Sequence, residues 1–156
     1  MKAALRSGGD PNLVLVLWEL QQTAREAARH LERTTRAAGI STAEFGVLAC
    51  TTDDPGITQA QIARQLHIRP QALTATVNKL QRRGLIRGST EGRGRPSHLT
   101  ITDQGRTALD AAWPSIVALN EPANLQLTED AASSLAAQLA QLRENLAMTG
   151  PATAPR

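Results

Sequence analysis

Polar and basic side chains gather between residues 69 and 98 in a pattern that suits binding to duplex nucleic acid. This segment has seven Lys or Arg residues and one acid, Glu91, whereas the whole chain of 156 residues has 17 basic and 14 acidic residues. The rest of the chain therefore has 10 basic against 13 acidic residues. A local cationic patch on an acidic body attracts phosphates, so the charge distribution favours a nucleic-acid partner over a merely solvated basic loop.

Within this patch, a helix predicted to begin at Arg69 and Pro70 has side chains suited to reading DNA. Amide groups such as Gln71 and Asn78 can pair with adenine through two hydrogen bonds, Arg69 suits guanine or phosphate, and Thr74 suits a thymine methyl or a phosphate. The helix is predicted to bury Leu73, Val77 and Leu80 on its opposite side. The predicted DNA contacts of this helix are Arg69, Pro70, Gln71, Ala72, Thr74, Ala75, Asn78 and Lys79.

The elements around this helix predict a winged helix-turn-helix over residues 41–101. Thr58 and Gln61 have capping-box spacing and open a short helix, which a three-residue turn joins to the helix at Arg69. Gly84 ends that second helix. A hairpin follows, with strands at Leu85–Ile86 and at residues 98–102 and a glycine-rich tip over residues 88–96. Arg93 and Arg95 in the tip are predicted to contact phosphates or the minor groove.

Composition predicts one mainly α-helical domain over residues 1–156, with about six helices and a small β-hairpin. The chain is rich in Ala and Leu and has no Tyr, one Phe and two Trp, which favours closely packed helices over an aromatic-rich β-sandwich. Ser41 and Glu44 predict a second capping box, and Thr102 can cap the helix after the hairpin. Pro114 is expected to kink or end that helix near Trp113. No apolar run is long enough to cross a bilayer and no secretory signal is present, so we expect a cytoplasmic protein without a membrane partner.

Helices at both ends of the chain are predicted to form a dimerisation region, over residues 11–38 and 124–148. Each has a narrow stripe of apolar residues that the helix-turn-helix does not need for its own core, and a two-fold pairing would bury both stripes. The alternative is that the two helices pack on each other within one monomer. The dimerisation residues are predicted to be Leu13, Leu17, Leu20, Leu135, Leu139, Leu142 and Leu146. Residues 1–10 and 150–156 are expected to be flexible.

Other chemistry finds little support in the sequence. Cys50 is the only cysteine and follows apolar residues in a helix expected to be buried, so an inert thiol is favoured over an oxidant sensor. His30, His67 and His98 lack metal-ligand spacing, and the glycine-rich stretch 88–94 lacks a phosphate-binding motif. No nucleophile or paired-acid motif is present. We therefore expect no enzyme activity, no metal and no cofactor.

The stretch IARQLHIRPQALTATVNKLQRRGLI, followed by EGRGRPSHLTITDQG, resembles the winged helix-turn-helix of the MarR family of bacterial transcriptional regulators. The resemblance is close from Ile57 to Gly105 and extends loosely to the terminal helices. Arg95 takes the position of the family's key wing arginine, and residues 101–105 match the end of its LTxxG motif. Arg93 stands where the family usually has Asp, and Ala75 stands where it often has Arg, so affinity or target sequence can differ accordingly.

The resemblance implies a homodimer that binds a pseudo-palindromic operator, most simply as a repressor. It also implies release from DNA by a small phenolic or other aromatic ligand, or by an oxidant acting at Cys50. Trp18 and Trp113 are candidates for the effector pocket, although single tryptophans more often belong to a core. The main alternative function is a winged helix that binds an acidic protein partner instead of DNA.

Overall fold

The computed structural model describes residues 15–89 and 98–148, and within these ranges the prediction of a mainly helical winged-helix fold is confirmed. Leu13, Arg93, Arg95 and the two predicted flexible ends lie outside the described residues. The elements follow in the order α1 (Val16–Ala37), α2 (Thr42–Asp53), β1 (Ile57–Thr58), α3 (Gln59–Gln65), α4 (Pro70–Arg82), β2 (Ile86–Ser89), β3 (His98–Ile101), α5 (Asp103–Asn120), a 3₁₀ helix (Pro122–Leu125) and α6 (Glu129–Met148).

Both capping boxes predicted from the sequence are confirmed. At the start of α2, the Ser41 N–H donates to Glu44 Oε2 at 2.7 Å and the Glu44 N–H donates to Ser41 Oγ at 3.2 Å. At the start of α3, the Thr58 N–H donates to Gln61 Oε1 at 2.9 Å, and the Gln61 N–H donates in return to Thr58 Oγ1. These reciprocal bonds satisfy helix N–H groups that have no partner within the helix.

Helices α1, α3 and α4 end in the same way, with one residue in the left-handed region followed by an apolar residue. The left-handed residues are Gly39, His67 and Gly84, with φ of +82°, +52° and +69°. The N–H of the next residue then bonds a carbonyl five positions back, as from Ile68 to Ala63 at 3.1 Å. His67 therefore makes the turn between α3 and α4, although side chains other than glycine adopt this conformation at some cost.

The three strands form one antiparallel sheet in the order β1-β3-β2. Strands β2 and β3 are the predicted hairpin, with Ile86 opposite Ile101 and Ser89 opposite His98. Strand β1 was not predicted: its two residues pair with β3, Ile57 opposite Leu99. Because β1 directly precedes α3, this pairing attaches the start of the helix-turn-helix to the wing.

One apolar core joins α2, α3, α4, the sheet and the first half of α5. Buried side chains of α4 are Leu73, Val77 and Leu80, as the sequence predicts. They pack in a cluster of buried residues that comprises Ile40, Val47, Leu48, Cys50, Ile57, Ile62, Ala63, Leu73, Val77, Leu80, Leu85, Ile86, Leu99, Leu109 and Ala112. The core thus holds α4 by one side only, and the opposite side of this helix is left exposed.

Of the two outcomes expected at Pro114, a kink or an early end of the helix, the early end is wrong. Helix α5 does not end near Trp113 but runs through Pro114 to Asn120. The proline removes a single N–H bond, to the carbonyl of Asp110, and the remaining turns of the helix outweigh that loss. Within the predicted dimerisation region 124–148, the last helix begins at Glu129, after a separate 3₁₀ turn that the left-handed Gln126 ends. The chain divides into two compact units, residues 1–112 and 113–156.

No helix within residues 15–89 and 98–148 has both the length and the apolarity to cross a lipid bilayer.

The base of the wing is closed by Thr102 and Gly105, which meet the chain where it leaves α4. Thr102 Oγ1 donates to the Gly84 carbonyl at 2.7 Å and accepts from the Gly105 N–H at 3.1 Å, so it caps α5 as predicted. The Thr102 N–H also bonds the Leu85 carbonyl at 3.1 Å. A Cβ atom on Gly105 would lie 2.0 Å from the Leu85 carbonyl oxygen, so only glycine fits.

We expect Gly105→Ala to destabilise the protein by about 2 kcal/mol or more, because the new methyl group collides with backbone that cannot move without opening the wing. The free energy of unfolding in urea measures the effect. Gly46→Ala in α2 is the matched control, since its Cβ would meet only the flexible Leu66 side chain, at 3.1 Å. Equal effects of the two substitutions would contradict this explanation of Gly105.

Candidate nucleic-acid interface

The side of α4 that faces away from the core presents three polar side chains and one alanine in one row. Gln71, Ala75, Asn78 and Arg82 are spaced by four, three and four residues, which places them on one helical face, and all four are exposed. We call these residues the outer face of α4. Arg82 was missed in the sequence analysis as a contact residue, although its spacing from Gln71 and Asn78 could have revealed it.

The N-terminal end of α4 is also open to solvent. Arg69 is the N-cap residue and Pro70 occupies the first turn, and both are exposed. Thr74 is exposed, and its hydroxyl donates to the Pro70 carbonyl at 3.0 Å, which is compatible with an additional contact from outside. Ala72 is exposed as well. The predicted contact residues at this end therefore stand together, with backbone N–H groups of the first turn beside them.

Lys79 lies on the flank of α4 that faces α2 and not in the row of the outer face. Its Nζ is 3.2 Å from Glu44 Oε1, and Arg83 Nη1 is 2.8 Å from the same oxygen. Arg83 Nη2 also donates to the Gly39 carbonyl at 3.0 Å. Two of the cations counted in the basic segment are thus paired with a carboxylate from another helix.

Glu44 is 1% exposed, although it carries a charge. Burial by itself raises the pKa of this carboxyl, but the hydrogen bonds from the Ser41 N–H, Arg83 and Lys79 together outweigh burial and hold the pKa below its ordinary value. The carboxylate is therefore charged at neutral pH and joins the start of α2 to the last turn of α4.

The wing strands place a further cation beside α4. Arg87 in β2 is exposed and forms no ion pair within residues 15–89 and 98–148. His98 in β3 is half-buried, and its Nδ1 lies 2.7 Å from the Gly56 carbonyl, so Nδ1–H donates and ties β3 to the turn before β1. Among the described cations of the basic segment, Arg69, Arg82 and Arg87 remain free of ion pairs and point to solvent.

Known proteins have a similar sequence over this part of the chain. Residues 38–96 match the family model described as MarR family. The matched residues run from the end of α1 through the helix-turn-helix and into the wing. Residues 38–96 of this chain are thus similar to the MarR family.

This chain is similar to the HTH-type transcriptional repressor Rv2887 of Mycobacterium tuberculosis, with 32% identity over 69 residues, 44% of this chain and 50% of the relative. The chain thus matches about half the length of this curated relative. The structure of the S. aureus MepR–DNA complex is similar with a TM-score of 0.75 and 17% identity, covering 86% of this chain and 99% of MepR. The M. tuberculosis Rv2887 complex with salicylic acid has a TM-score of 0.66 and 21% identity, covering 84% and 98%. These similarities show a shared fold.

The two tryptophans, Trp18 and Trp113, are not core residues in the single chain. Trp18 in α1 is 38% exposed and Trp113 in α5 is 51% exposed, so the expectation that they are core residues is wrong for both. Both therefore remain candidates for contact with a ligand or a second copy.

The predicted dimerisation leucines are mostly exposed in their own units. Leu17 in α1 is exposed and Leu20 is half-buried, whereas in α6 Leu135, Leu139 and Leu146 are exposed and Leu142 is half-buried. Within residues 40–112 that the structure describes, no large apolar side chain is exposed. Exposed large apolar side chains thus lie toward the two ends of the chain and not in the described part of the winged helix-turn-helix.

Cys50 is buried in α2, as expected for a core thiol. Burial raises the pKa of this thiol, and the nearby Asp53 carboxylate raises the pKa further. A thiol with a raised pKa has little thiolate at neutral pH and reacts slowly with oxidants. The environment of Cys50 therefore favours the inert role over the sensing role.

We expect Glu44→Gln to lower the free energy of unfolding by about 1–3 kcal/mol at neutral pH, because it removes a buried charge that accepts three hydrogen bonds. The lowered pKa in the folded protein means that this contribution is present above about pH 4.3, the ordinary value for Glu, and is lost as pH falls through the folded-state pKa. The difference between variant and wild type should therefore shrink in acid. Urea unfolding from about pH 7 to about pH 3 measures this change.

The control for this measurement is Glu26→Gln, which removes an exposed carboxylate paired with Arg29 on α1. An exposed pair of this kind contributes little, so the control should differ from wild type by less than about 0.5 kcal/mol at every pH. A constant difference between Glu44→Gln and wild type across the pH range would contradict the assigned charge of Glu44.

Proposed function

We propose that this protein is a sequence-specific DNA-binding transcriptional regulator, a repressor that a small aromatic ligand releases from its operator. The observation that carries the proposal is the outer face of α4. A helix that is held to the core by Leu73, Val77 and Leu80 presents Gln71, Asn78 and Arg82 to solvent in one row. Such a face fits the major groove of duplex DNA, which admits one α-helix.

The proposed contacts divide into two kinds. Gln71 and Asn78 are suited to base edges, Ala72 and Ala75 to apolar contact with thymine, and Thr74 to a thymine methyl or a phosphate. Arg69, Arg82 and Arg87 are suited to phosphates or guanine, and Arg93 and Arg95, from the sequence alone, to phosphates or the minor groove. Pro70 sets the start of the helix, and the N-terminal end of a helix favours a phosphate.

The relatives support this proposal. The M. tuberculosis relative is named a transcriptional repressor, and MepR was crystallised with DNA. The complex of Rv2887 with salicylic acid supports a small aromatic ligand for this chain also. Acting on DNA, the protein would work in the cytoplasm as a binding protein without catalysis.

In a gel-shift assay with the duplex that flanks its own gene, we expect Gln71→Ala to weaken operator binding by about 1–3 kcal/mol and to leave binding to random duplex almost unchanged. The reason is that an amide contact to a base carries sequence choice. Gln81→Ala is the control, since Gln81 is exposed on the same helix but lies outside the row of the outer face. Equal effects of the two substitutions would contradict the assigned face.

Salt dependence separates this function from the alternative of a winged helix that binds an acidic protein. Binding to DNA through phosphates weakens steeply as salt rises, and removing one phosphate contact, as in Arg95→Ala, reduces the slope by about 0.9. An adaptor would show no preference for operator over random duplex. Addition of salicylate should release the operator, and a complex that resists salicylate and other phenols would count against the proposed ligand.

A homodimer is the proposed assembly, with residues 11–38 and 124–148 as its dimerisation regions and residues 41–101 as the DNA-binding module. Exposed apolar side chains on α1 and on α6 lack a cover within their own units, and a second copy would supply one. Two reading helices related by a two-fold axis would match a pseudo-palindromic operator with half-sites about one helical turn apart.

We expect Leu139→Glu to convert the protein from a particle of about twice 16.6 kDa to one of 16.6 kDa, because a charge would replace an apolar side chain in the proposed contact. Light scattering coupled to gel filtration measures the mass. Ala137→Glu is the control, since it adds the same charge on another side of α6. A wild-type mass of 16.6 kDa at micromolar concentration would refute the dimer.

A redox-sensing regulator that uses Cys50 is the weaker candidate. The burial of Cys50 and its raised pKa both slow oxidation, and the chain has no second cysteine to form a disulfide within one copy. Peroxide treatment should therefore leave operator affinity unchanged.

A further inference from the structure

The side chain of Glu44 joins three helices at one point. Its Oε2 accepts from the Ser41 N–H at the start of α2, and its Oε1 accepts from Lys79 and Arg83 on α4. Arg83 extends the network to the end of α1 through the Gly39 carbonyl. Because the capping box fixes Oε2, the carboxylate cannot turn away, and Oε1 is held toward α4.

We propose that Glu44 is a positioning residue for the outer face of α4, and that it holds Lys79 and Arg83 as braces of this helix so that they do not bind phosphates. The inference rests on the proposed DNA-binding function. It reverses the role that the sequence predicts for Lys79, from a DNA contact to a structural partner.

Geometry explains why the two cations stay with Glu44. The Arg83 guanidinium has two acceptors, Glu44 Oε1 at 2.8 Å and the Gly39 carbonyl at 3.0 Å, and a move toward a phosphate would break both bonds. If Arg83 moved away, the Glu44 carboxylate would keep its charge and lose its closest cation, although the residue is only 1% exposed. Lys79 has one contact, at 3.2 Å, and its side chain is 46% exposed, so it is the more loosely held of the two.

The consequence concerns specificity. Phosphate contacts strengthen binding to every duplex, whereas base contacts strengthen binding to the operator alone. By withholding two cations from the DNA backbone, Glu44 lowers the affinity for random duplex. By bracing α4 against α2 and α1, it also keeps Gln71 and Asn78 in register with the bases. Both effects raise the preference for operator over random duplex.

Neighbouring arginines make a matched test. Arg82 lies on the outer face of α4 and has no ion pair in residues 15–89 and 98–148, whereas Arg83 is bound to Glu44 and Gly39. The full-length protein is titrated by fluorescence anisotropy onto operator and random duplexes between about 50 and 200 mM KCl. The variants are Arg82→Gln, Arg83→Gln and Glu44→Gln.

The salt dependence of binding should respond differently to the two arginine substitutions. Arg82→Gln should reduce the slope of log affinity against log salt by about 0.9, as the loss of one phosphate contact does. Arg83→Gln should keep the wild-type slope and lower the preference for operator, because it loosens α4 without removing a phosphate contact. Glu44→Gln should make the slope steeper by about 0.9 for each freed cation that reaches a phosphate and should tighten binding to random duplex.

The proposal is overturned if Arg83→Gln lowers the slope as Arg82→Gln does, since Arg83 would then contact DNA in the wild type. It is also overturned if Arg83→Gln leaves the operator preference unchanged, or if folded Glu44→Gln binds random duplex as wild type does. A purely structural role would lower the melting temperature without changing slope or preference. If Glu44→Gln fails to fold, Arg82→Gln and Arg83→Gln still test the proposal. Failure of the wild type to bind DNA would refute the proposed function itself, which is a separate result.

Discussion

One buried carboxylate, Glu44, is the interaction on which the arrangement of the helices depends. A charge that is 1% exposed is stable only when hydrogen bonds replace the lost water, and here these bonds come from the Ser41 N–H, Arg83 and Lys79. The same contacts also hold the helices together, since the carboxylate ties α2 to α4 and its partner Arg83 ties α4 to the end of α1. The direction of α4 is therefore set by a polar contact as well as by packing of its apolar stripe.

A second constraint holds the wing beside α4. The start of α5 approaches the Leu85 carbonyl so closely that Gly105 has no room for a side chain, and Thr102 bonds both the chain leaving α4 and the first turn of α5. The short pairing of β1 with β3 then joins the wing to the start of α3. Helix-turn-helix and wing are thus linked at two places, which gives the proposed DNA contacts of α4 and the wing strands a common rigid base.

Some cations of the basic segment stabilise the fold, whereas others are exposed on the surface. Counting cations over residues 69–98 treats them as equivalent, yet Lys79 and Arg83 are paired with Glu44 while Arg69, Arg82 and Arg87 face solvent free of ion pairs within the described residues. A surface built for sequence choice gains from this division, because undirected attraction to phosphates strengthens binding to every site. The exposed large apolar residues of the described ranges lie on α1 and from Trp113 onward, and a second copy is proposed to cover those on α1 and α6.

Local patterns in the sequence were enough to establish the capping boxes at Ser41 and Thr58, the buried stripe of α4, the wing strands and the cap at Thr102. Each depends on residues within a few positions of one another, so the chain itself specifies it. Tertiary structure alone decided the partners of Glu44, the strand β1, the exposure of Trp18 and Trp113, and the continuation of α5 through Pro114. These features depend on groups far apart in the chain or on the balance of many contacts, and residue spacing has no information about either.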